Sequence, residues 1–344
     1  GWKQSLALAG RLRHLPKKPR SPSSRQPPTV LDGHRHSLDR DRRAISFHYD
    51  VSNDFYRLWL DERMVYSCAY FEAPDRSLDE AQTAKLRHLC RKLRLRSGQS
   101  VLDIGCGWGG FALYAAEHHG VRVTGLTLSR EQAVLATARA AAAGLADRVE
   151  FLLQDYRDLR APESFDAIVS VGMAEHVGRE NLPAYFQAAH GLLKPGGVFL
   201  NHAIGEGCRY RPSHGPSFID EYVFPDSDIP PIRTTVTAAE SAGFEVRDVE
   251  NLREHYAQTL RHWVHRLEAR HAEALAFVDE PAYRVWRLYM AGSAHGFAQG
   301  RLAIYQTLLA KPDATGNARL PLTRDDWYDS RNAVEAAGFT HNAE

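Results

Sequence analysis

Short apolar segments alternate with amphipathic segments from about residue 100 onward. Apolar runs of strand length predict strands at Val101–Ile104, Val121–Leu126, Val149–Leu153, Phe165–Val171 and Val198–Ile204. Helical spacing predicts helices between them at Phe111–His119, Ser129–Ala143 and Asn181–Leu193, and a late strand at Ala303–Leu309. This order predicts an α/β fold with a doubly wound, mostly parallel, Rossmann-like sheet. Ligands of such sheets bind outside the carboxyl ends of the strands.

Two further regions flank this pattern. Segments of helical spacing at Ser46–Leu60 and Ser77–Leu93 predict that residues 44–97 form N-terminal helices over the ligand site of a sheet domain at 98–344. Within that domain, residues 206–301 are less regular, and their helices at Tyr256–Leu275 and Pro281–Phe297 predict a helical insertion that binds the substrate. An ordinary helical cap on the sheet would explain most of its apolar residues equally well.

Composition and charge narrow the class of protein. The chain has 344 residues, 44% of them hydrophobic, and a net charge of +1, which is typical of an ordinary soluble protein. Four cysteines without zinc-ligand spacing indicate a reducing, cytoplasmic location and no metal site. Residues 1–43 contain eleven Lys and Arg against three Asp, so we expect a basic, poorly folding arm. The arm is either a solvated tail or a contact to anionic phospholipid, and no accompanying motif indicates nucleic acid.

The glycine-rich turn at Asp103–Gly110 follows the first strand and opens a helix, which is a place for an anionic or nucleotide ligand. Gly105, Gly107 and Gly110 fit the G-x-G-x-x-G pattern, which alone is a weak signal and also suits a plain strand-to-helix turn. A nicotinamide site requires an acid about 20 residues further on, but that region reads Thr-Gly-Leu-Thr-Leu-Ser. The pair Asp155-Tyr156 after the third strand suits an adenine ring. S-adenosylmethionine (SAM) is therefore the preferred ligand, with a nicotinamide as the more distant alternative.

Several longer blocks resemble the cyclopropane-fatty-acyl-phospholipid synthases and mycolic acid cyclopropane synthases over about residues 46–311. The blocks are His48–Tyr56, Tyr66–Phe71, the glycine turn, Gly125–Ser129 with Gln132, Leu152–Leu159, Ile168–Gly178, Asn201–Gly205 and His255–Leu260. The resemblance implies a class I SAM-dependent methyltransferase that modifies the double bond of an unsaturated phospholipid acyl chain. It also implies peripheral association with the inner face of the membrane, and a homodimer is possible.

The resemblance implies two sets of site residues, matched by motif position. The SAM set comprises Tyr66, Ser67, Gly105, Cys106, Gly107, Thr127, Leu128, Gln132, Asp155 and Tyr156. The second set is a cage for a bicarbonate ion that removes a proton from the new methyl group: the backbone N–H groups of Cys68 and Ile204 and the side chains of Glu175, His202 and Tyr256. Each of these could instead be structural: a helix cap, a hydrogen-bonded strand-end histidine, a core tyrosine or a small buried cysteine.

The sequence departs from the family pattern at one position of chemical interest. Ser293 stands where family members commonly carry a cysteine, so a nucleophilic thiol is excluded at that place. Direct methyl transfer does not require a thiol, and we therefore expect Ser293 to be a wall position. Cyclopropane formation is the leading expectation. A methyl-branched or otherwise modified chain, or a SAM- and lipid-binding protein without turnover, is the alternative.

Overall fold

The computed structural model of the chain describes residues 35–49, 52–212 and 217–328. Its helices are α1 Leu38–Tyr49, α2 Asn53–Arg57, α3 Leu78–Lys92, α4 Gly110–His119, α5 Arg130–Ala142, α6 Leu182–Leu192, α7 Phe218–Tyr222, α8 Ile232–Ser241, α9 Arg253–Ala269, α10 His271–Ala274, α11 Glu280–Ala298 and α12 Asp325–Tyr328. Its strands are β1 Ser100–Ile104, β2 Arg122–Thr127, β3 Val149–Leu153, β4 Phe165–Val171, β5 Leu193–Glu206, β6 Glu245–Asn251 and β7 Leu302–Ala310.

The seven strands form one sheet in the order β3-β2-β1-β4-β5-β7-β6. The pairs from β3 to β5 are parallel, and β7 lies antiparallel between β5 and β6. The predicted α/β fold with a doubly wound, mostly parallel sheet is confirmed. The order in which strands are added to the sheet switches sides between β1 and β4. Because β1 to β5 are parallel, their carboxyl ends lie at one edge of the sheet, where ligands bind in such folds.

Alternate residues of the strands face opposite sides of the sheet, and each side has its own core. Val101 of β1 packs with α3 and α4 on one side, whereas Leu102 packs with α6 and α8 on the other. Burial on both faces explains why the central strands read as continuous apolar runs.

A third, aromatic core joins the N-terminal helices to the cap formed by α9 and α11. It includes Tyr56, Trp59, Trp263 and Trp286, and it reaches the glycine turn through Trp108. The ring centroids of Tyr56 and Trp108 are 4.7 Å apart, and Trp108 Nε1 donates a hydrogen bond to Asn53 Oδ1 at 2.7 Å. This core fixes the segment that follows α2 against the carboxyl edge of the sheet.

The structure corrects several of the expected boundaries. The predicted helix Ser46–Leu60 is wrong, since α1 begins at Leu38 and a separate α2 follows Ser52, whose hydroxyl accepts hydrogen bonds from Asp54 N and Phe55 N as an N-cap. The predicted helix Tyr256–Leu275 ends at Ala269 and is followed by the short α10. The range 206–301, expected to be a helical insertion, also supplies β6 to the sheet.

The start of α1 also falls within the range 1–43 that the charge pattern assigned to a flexible arm. Residues 1–34 of that arm lie outside the described residues. Among the helices that the structure describes, none is long and apolar enough to cross a membrane.

Candidate active site

The turn after β1 has the left-handed backbone conformation that glycine permits. Gly105 has φ +82° and Gly107 has φ +55°. A Cβ atom at Gly105 would lie 3.0 Å from Met173 Cβ, whereas one at Gly107 would find no heavy atom within 4 Å. α4 begins directly afterwards at Gly110. The open space next to Gly107 thus leaves room for a ligand to lie against the backbone of the turn.

A cavity of about 1140 Å³, its open mouth included, lies along this turn and the ends of β2, β3 and β4. We call it the first cavity. Every residue of the predicted SAM set lines it, namely Tyr66, Ser67, Gly105, Cys106, Gly107, Thr127, Leu128, Gln132, Asp155 and Tyr156. Asp41 and Ile45 of α1 also line it, so the start of the described part of the chain lies against this cavity.

A buried ammonium, that of Lys85, and a buried carboxyl group, that of Asp103, line the first cavity. Lys85 Nζ donates a hydrogen bond to Ser67 Oγ at 2.9 Å, and burial lowers the pKa of Lys85 to about 8 against the opposing effect of Asp61. Burial raises the pKa of Asp103 to about 7, and its Oδ2 has no hydrogen-bond partner among the described residues. An ammonium and an unpartnered carboxyl oxygen on the wall of one cavity fit the carboxylate and amino groups of an amino-acid ligand, which is what the methionine end of SAM carries.

Hydroxyl and amide groups line the part of the first cavity at the end of β2. Thr127 Oγ1 donates to Gln132 Oε1 at 2.7 Å and accepts from Ser129 N at 3.1 Å. Ser129 Oγ in turn caps α5 by accepting from Gln132 N. These contacts hold neutral polar groups where dinucleotide-binding sheets carry an acid, which favours SAM over the more distant nicotinamide alternative.

Asp155, at the end of β3, is paired rather than free. Its carboxylate accepts three hydrogen bonds from Arg157, from the backbone N and from Nε and Nη2 of the side chain, at 2.9, 2.8 and 2.7 Å. Arg157 Nη2 also donates to Asp41 Oδ2 of α1 at 2.9 Å. This carboxylate therefore shapes the wall next to Tyr156 and ties it to α1.

A second cavity of about 2330 Å³, its open mouth included, adjoins the first. Four residues line both: Tyr66, Ser67, Gly172 and His176. Glu175, His202, Ile204 and Tyr256 of the predicted bicarbonate cage line the second cavity, as does Ser293, while its apolar wall is formed by Leu260, Tyr289, Phe297, Leu302 and Ile304. A group held at the shared residues would be presented to a molecule in the second cavity.

Glu175 is a buried carboxyl group with one oxygen committed and one open. Its Oε1 accepts a hydrogen bond from the Ile204 backbone N at 2.7 Å, while its Oε2 has no partner among the described residues. Burial raises its pKa to about 7, although the Ile204 hydrogen bond acts in the opposite direction. Near neutral pH this group can therefore hold or share a proton.

His202 is fully buried on β5 and is held from the neighbouring strand β7. Gln306 Nε2 lies 3.1 Å from His202 Nδ1, and the two residues are register partners in the sheet. Burial lowers the pKa of His202 well below its usual value, so the ring is neutral. An amide NH₂ can only donate, so with this amide orientation Nδ1 accepts and the ring proton is on Nε2. That Nε2 has no partner in the described part of the chain.

Tyr256 and Cys68 differ in their relation to the second cavity. Tyr256, on α9, packs against Phe297 with ring centroids 4.7 Å apart and lines the cavity. Cys68 is fully buried and lines neither cavity; its Sγ lies 3.8 Å from the Leu252 carbonyl oxygen, and burial raises the pKa of its thiol. The Cys68 thiol is thus inert, and the expected role of its backbone N–H stays a prediction.

Two residues of this region escaped the sequence reasoning. Lys85 lies within the helical pattern of α3, where a lysine normally faces solvent. Gln306 lies inside the apolar run Ala303–Leu309, where a polar residue is out of place in a buried strand. A polar residue within an apolar strand could have identified Gln306 as a functional candidate, whereas nothing in the local sequence identifies Lys85.

The sheet order, the glycine turn and the cavity beside it define a class I SAM-dependent methyltransferase with a Rossmann-like fold. A solved structure of mycolic acid cyclopropane synthase CmaA1, complexed with S-adenosylhomocysteine (SAH) and CTAB, is similar to this chain with a TM-score of 0.73 and 36% identity. The similarity covers 78% of this chain and 97% of that one.

The family follows from the sequence match. Residues 36–307 match the model of the mycolic acid cyclopropane synthetase family, and the chain belongs to that family. It is 48% identical over 306 residues to a Pseudomonas putida protein named "Probable fatty acid methyltransferase", covering 88% of this chain and 77% of the relative. It is 40% identical over 264 residues to the cyclopropane-fatty-acyl-phospholipid synthase of Escherichia coli K12, covering 77% of this chain and 66% of the relative.

Proposed function

We propose that this protein transfers the methyl group of SAM to a double-bond carbon of an unsaturated acyl chain in a membrane phospholipid. A bound bicarbonate ion then removes a proton from the new methyl group, which closes a cyclopropane ring. The observation that carries the proposal is the pair of adjoining cavities: one suits an amino-acid and nucleoside ligand, and the other combines an apolar wall with the open polar atoms of Glu175 and His202.

In this proposal the residues of the first cavity orient the sulfonium of SAM towards the second. Lys85 and Asp103 hold the carboxylate and amino groups of the methionine end, while Thr127 and Gln132 face the ribose. Tyr156 and the paired Asp155 form the adenine end. The methyl group would then lie near Tyr66 and Ser67, which both cavities share.

The polar residues that line the second cavity would carry out the proton transfer. Attack of the alkene on the methyl group leaves a carbocation, and loss of a methyl proton to bicarbonate supplies the electron pair that closes the ring. His202 would donate its Nε2–H to the ion, Glu175 would share a proton with it, and Tyr256 would contribute its hydroxyl. Ile204 would act through the hydrogen bond by which it holds Glu175 Oε1. In a dry pocket such charge-assisted bonds are stronger than in water.

The relatives support the acyl substrate. One is named a cyclopropane-fatty-acyl-phospholipid synthase, and another a fatty acid methyltransferase. The second name favours one further candidate, in which a hydride from a separate donor, such as a reduced nicotinamide, adds to the same carbocation and leaves a methyl branch. The apolar wall of the second cavity suits the acyl chain in either case.

The test is an incubation of the purified protein with SAM, bicarbonate and phospholipid vesicles that carry a cis-monounsaturated chain. We expect lipid heavier by one methylene group, with turnover that falls when bicarbonate is removed. Unchanged lipid across several head groups, together with intact SAH binding, would mean a SAM- and lipid-binding protein without turnover and would refute the proposal.

A further inference from the structure

We propose that Arg209, Arg211 and Arg301 form a docking site for the phosphate groups of an anionic phospholipid surface. The site lies beside the mouth of the second cavity. The inference rests on the proposed function, since it concerns how a membrane lipid reaches that cavity. The sequence offered the arm at residues 1–43 as one possible membrane contact, with a solvated tail as the alternative, whereas these arginines belong to the folded domain.

The three arginines lie where β5 and β7 leave the sheet. Past the last register pair, Glu206 with Leu302, Gly207 N donates to Arg301 O and Arg209 N donates to Gly300 O, both at 2.9 Å. These bonds fix the backbones of Arg209 and Arg301 side by side on adjacent chain segments. Their position is therefore a property of the sheet and does not depend on an isolated loop.

The same arginines line one surface pocket that contains no carboxylate. Its lining residues are Cys208, Arg209, Tyr210, Arg211, Gln299 and Arg301. All three arginines are exposed, and none has a side-chain ion pair or hydrogen bond within the described residues. The pocket therefore has a local charge of +3 that the described part of the chain does not neutralise.

Other arginines near the cavity mouth are already paired. Arg40 donates to Asp226 at 2.5 and 2.9 Å, and Arg179 donates to Asp228 at 2.7 Å. Two rim carboxylates, Asp220 and Glu221, have no cation partner in the described residues, and neither of them lines the arginine pocket. Arg209, Arg211 and Arg301, which have no such partner in the described residues, line the pocket together with Tyr210.

This pocket is continuous with the mouth of the second cavity, because Tyr210 and Arg211 line both. In a phospholipid the phosphate is only a few bonds from the ester of each acyl chain. A lipid whose acyl chain enters the second cavity therefore leaves its phosphate at this rim, and its neighbours in the bilayer present further phosphates to Arg209 and Arg301. Arginine suits this role because its planar guanidinium can bind a phosphate through two hydrogen bonds.

The test compares two triple variants of equal charge in the full chain. The test variant is Arg209→Gln, Arg211→Gln, Arg301→Gln. The control is Arg96→Gln, Arg122→Gln, Arg148→Gln, which removes three exposed arginines at the amino ends of β1, β2 and β3, at the opposite edge of the sheet. Cosedimentation with phosphatidylcholine vesicles, with and without phosphatidylglycerol, measures the partition coefficient of each protein.

We expect the test variant to bind anionic vesicles about a hundredfold more weakly than the unchanged protein, about fivefold per arginine, with the control within a few-fold. Turnover on the same lipid dispersed in detergent should remain, which separates this proposal from the proposed function. Equal losses in the two variants would mean a general charge effect and would overturn the inference. A test variant that keeps its vesicle binding would also overturn it, whether or not turnover on an acyl group carried by a soluble thioester is lost.

Discussion

Replacement of Glu175 by glutamine should stabilise the folded protein at alkaline pH while removing its turnover. The folded state raises the pKa of this carboxyl group from 4.5 to about 7 by burying it. That rise corresponds to about 3 kcal/mol of preference for the protonated form. The folded protein thus holds the proton more tightly than the unfolded chain does. The contribution of Glu175 to the free energy of unfolding is therefore most favourable below pH 4.5 and is lost as pH rises through about 7.

Glutamine cannot ionise, and its amide oxygen can still accept the hydrogen bond from Ile204 N. We therefore expect Glu175→Gln to exceed the unchanged protein in free energy of unfolding by up to about 3 kcal/mol at pH 8 or above, and to differ little at pH 4.5. Urea denaturation across this pH range measures the difference, with SAH titration to verify that the first cavity is intact. The exposed residue Glu150 provides the matched control: Glu150→Gln should leave the pH profile unchanged.

A Glu175→Gln protein whose stability falls with pH in parallel with the unchanged protein would refute this reasoning, because Glu175 would then titrate as an ordinary carboxyl group. Retained turnover in that variant would separately refute its proposed part in the proton chemistry.

Three other substitutions test the remaining contacts. Gln306→Glu should reverse the His202 tautomer, because a carboxylate accepts a hydrogen bond from Nδ1–H. Turnover should fall at least tenfold while SAH affinity changes less than twofold, and ¹⁵N NMR of the ring should report the proton on Nδ1. Lys85→Met removes the hydrogen bond to Ser67 and the ammonium on the wall of the first cavity, and calorimetry should find SAH binding at least tenfold weaker. Unchanged affinity would mean that Lys85 does not contact the ligand. Trp263→Ala in the aromatic core should destabilise the protein by about 3–5 kcal/mol in urea denaturation, whereas a loss below 1 kcal/mol would mean that this core does not hold the cap.

The parallel part of the fold could be predicted because its strands are buried on both faces and read as apolar runs. β6 could not, because its half-buried positions are mostly acidic. It is an edge strand in which exposed and half-buried residues alternate, and two of the half-buried residues, Asp248 and Glu250, pair with the buried Lys92. Val246 is half-buried and Val249 is exposed, so the two valines do not give the alternation of apolar residues that indicates a strand.

The N-terminal boundary was misplaced for a different reason. Apolar spacing from Phe47 to Trp59 looked like a single helix, but Ser52 caps a new helix through its side chain. A local hydrogen bond thus overrode the hydrophobic period.

The candidate site likewise has residues that the sequence predicts and contacts that it does not. The cavity-lining residues at strand ends follow from the topology, since parallel strands bring their carboxyl ends to one edge. The Gln306–His202 contact depends on the strand register, and the bridge by which Arg157 joins Asp155 to Asp41 depends on how α1 packs. No motif spacing carries that information.

The most direct test of the proposed chemistry uses SAM with a fully deuterated methyl group and a phospholipid with a cis-monounsaturated chain. Mass spectrometry of the modified acyl chain counts the deuterium atoms retained. We expect two of the three, because closure of the ring removes one from the new methyl group. A product that keeps all three would contradict cyclopropane formation and would assign the protein to the methyl-branching reaction instead.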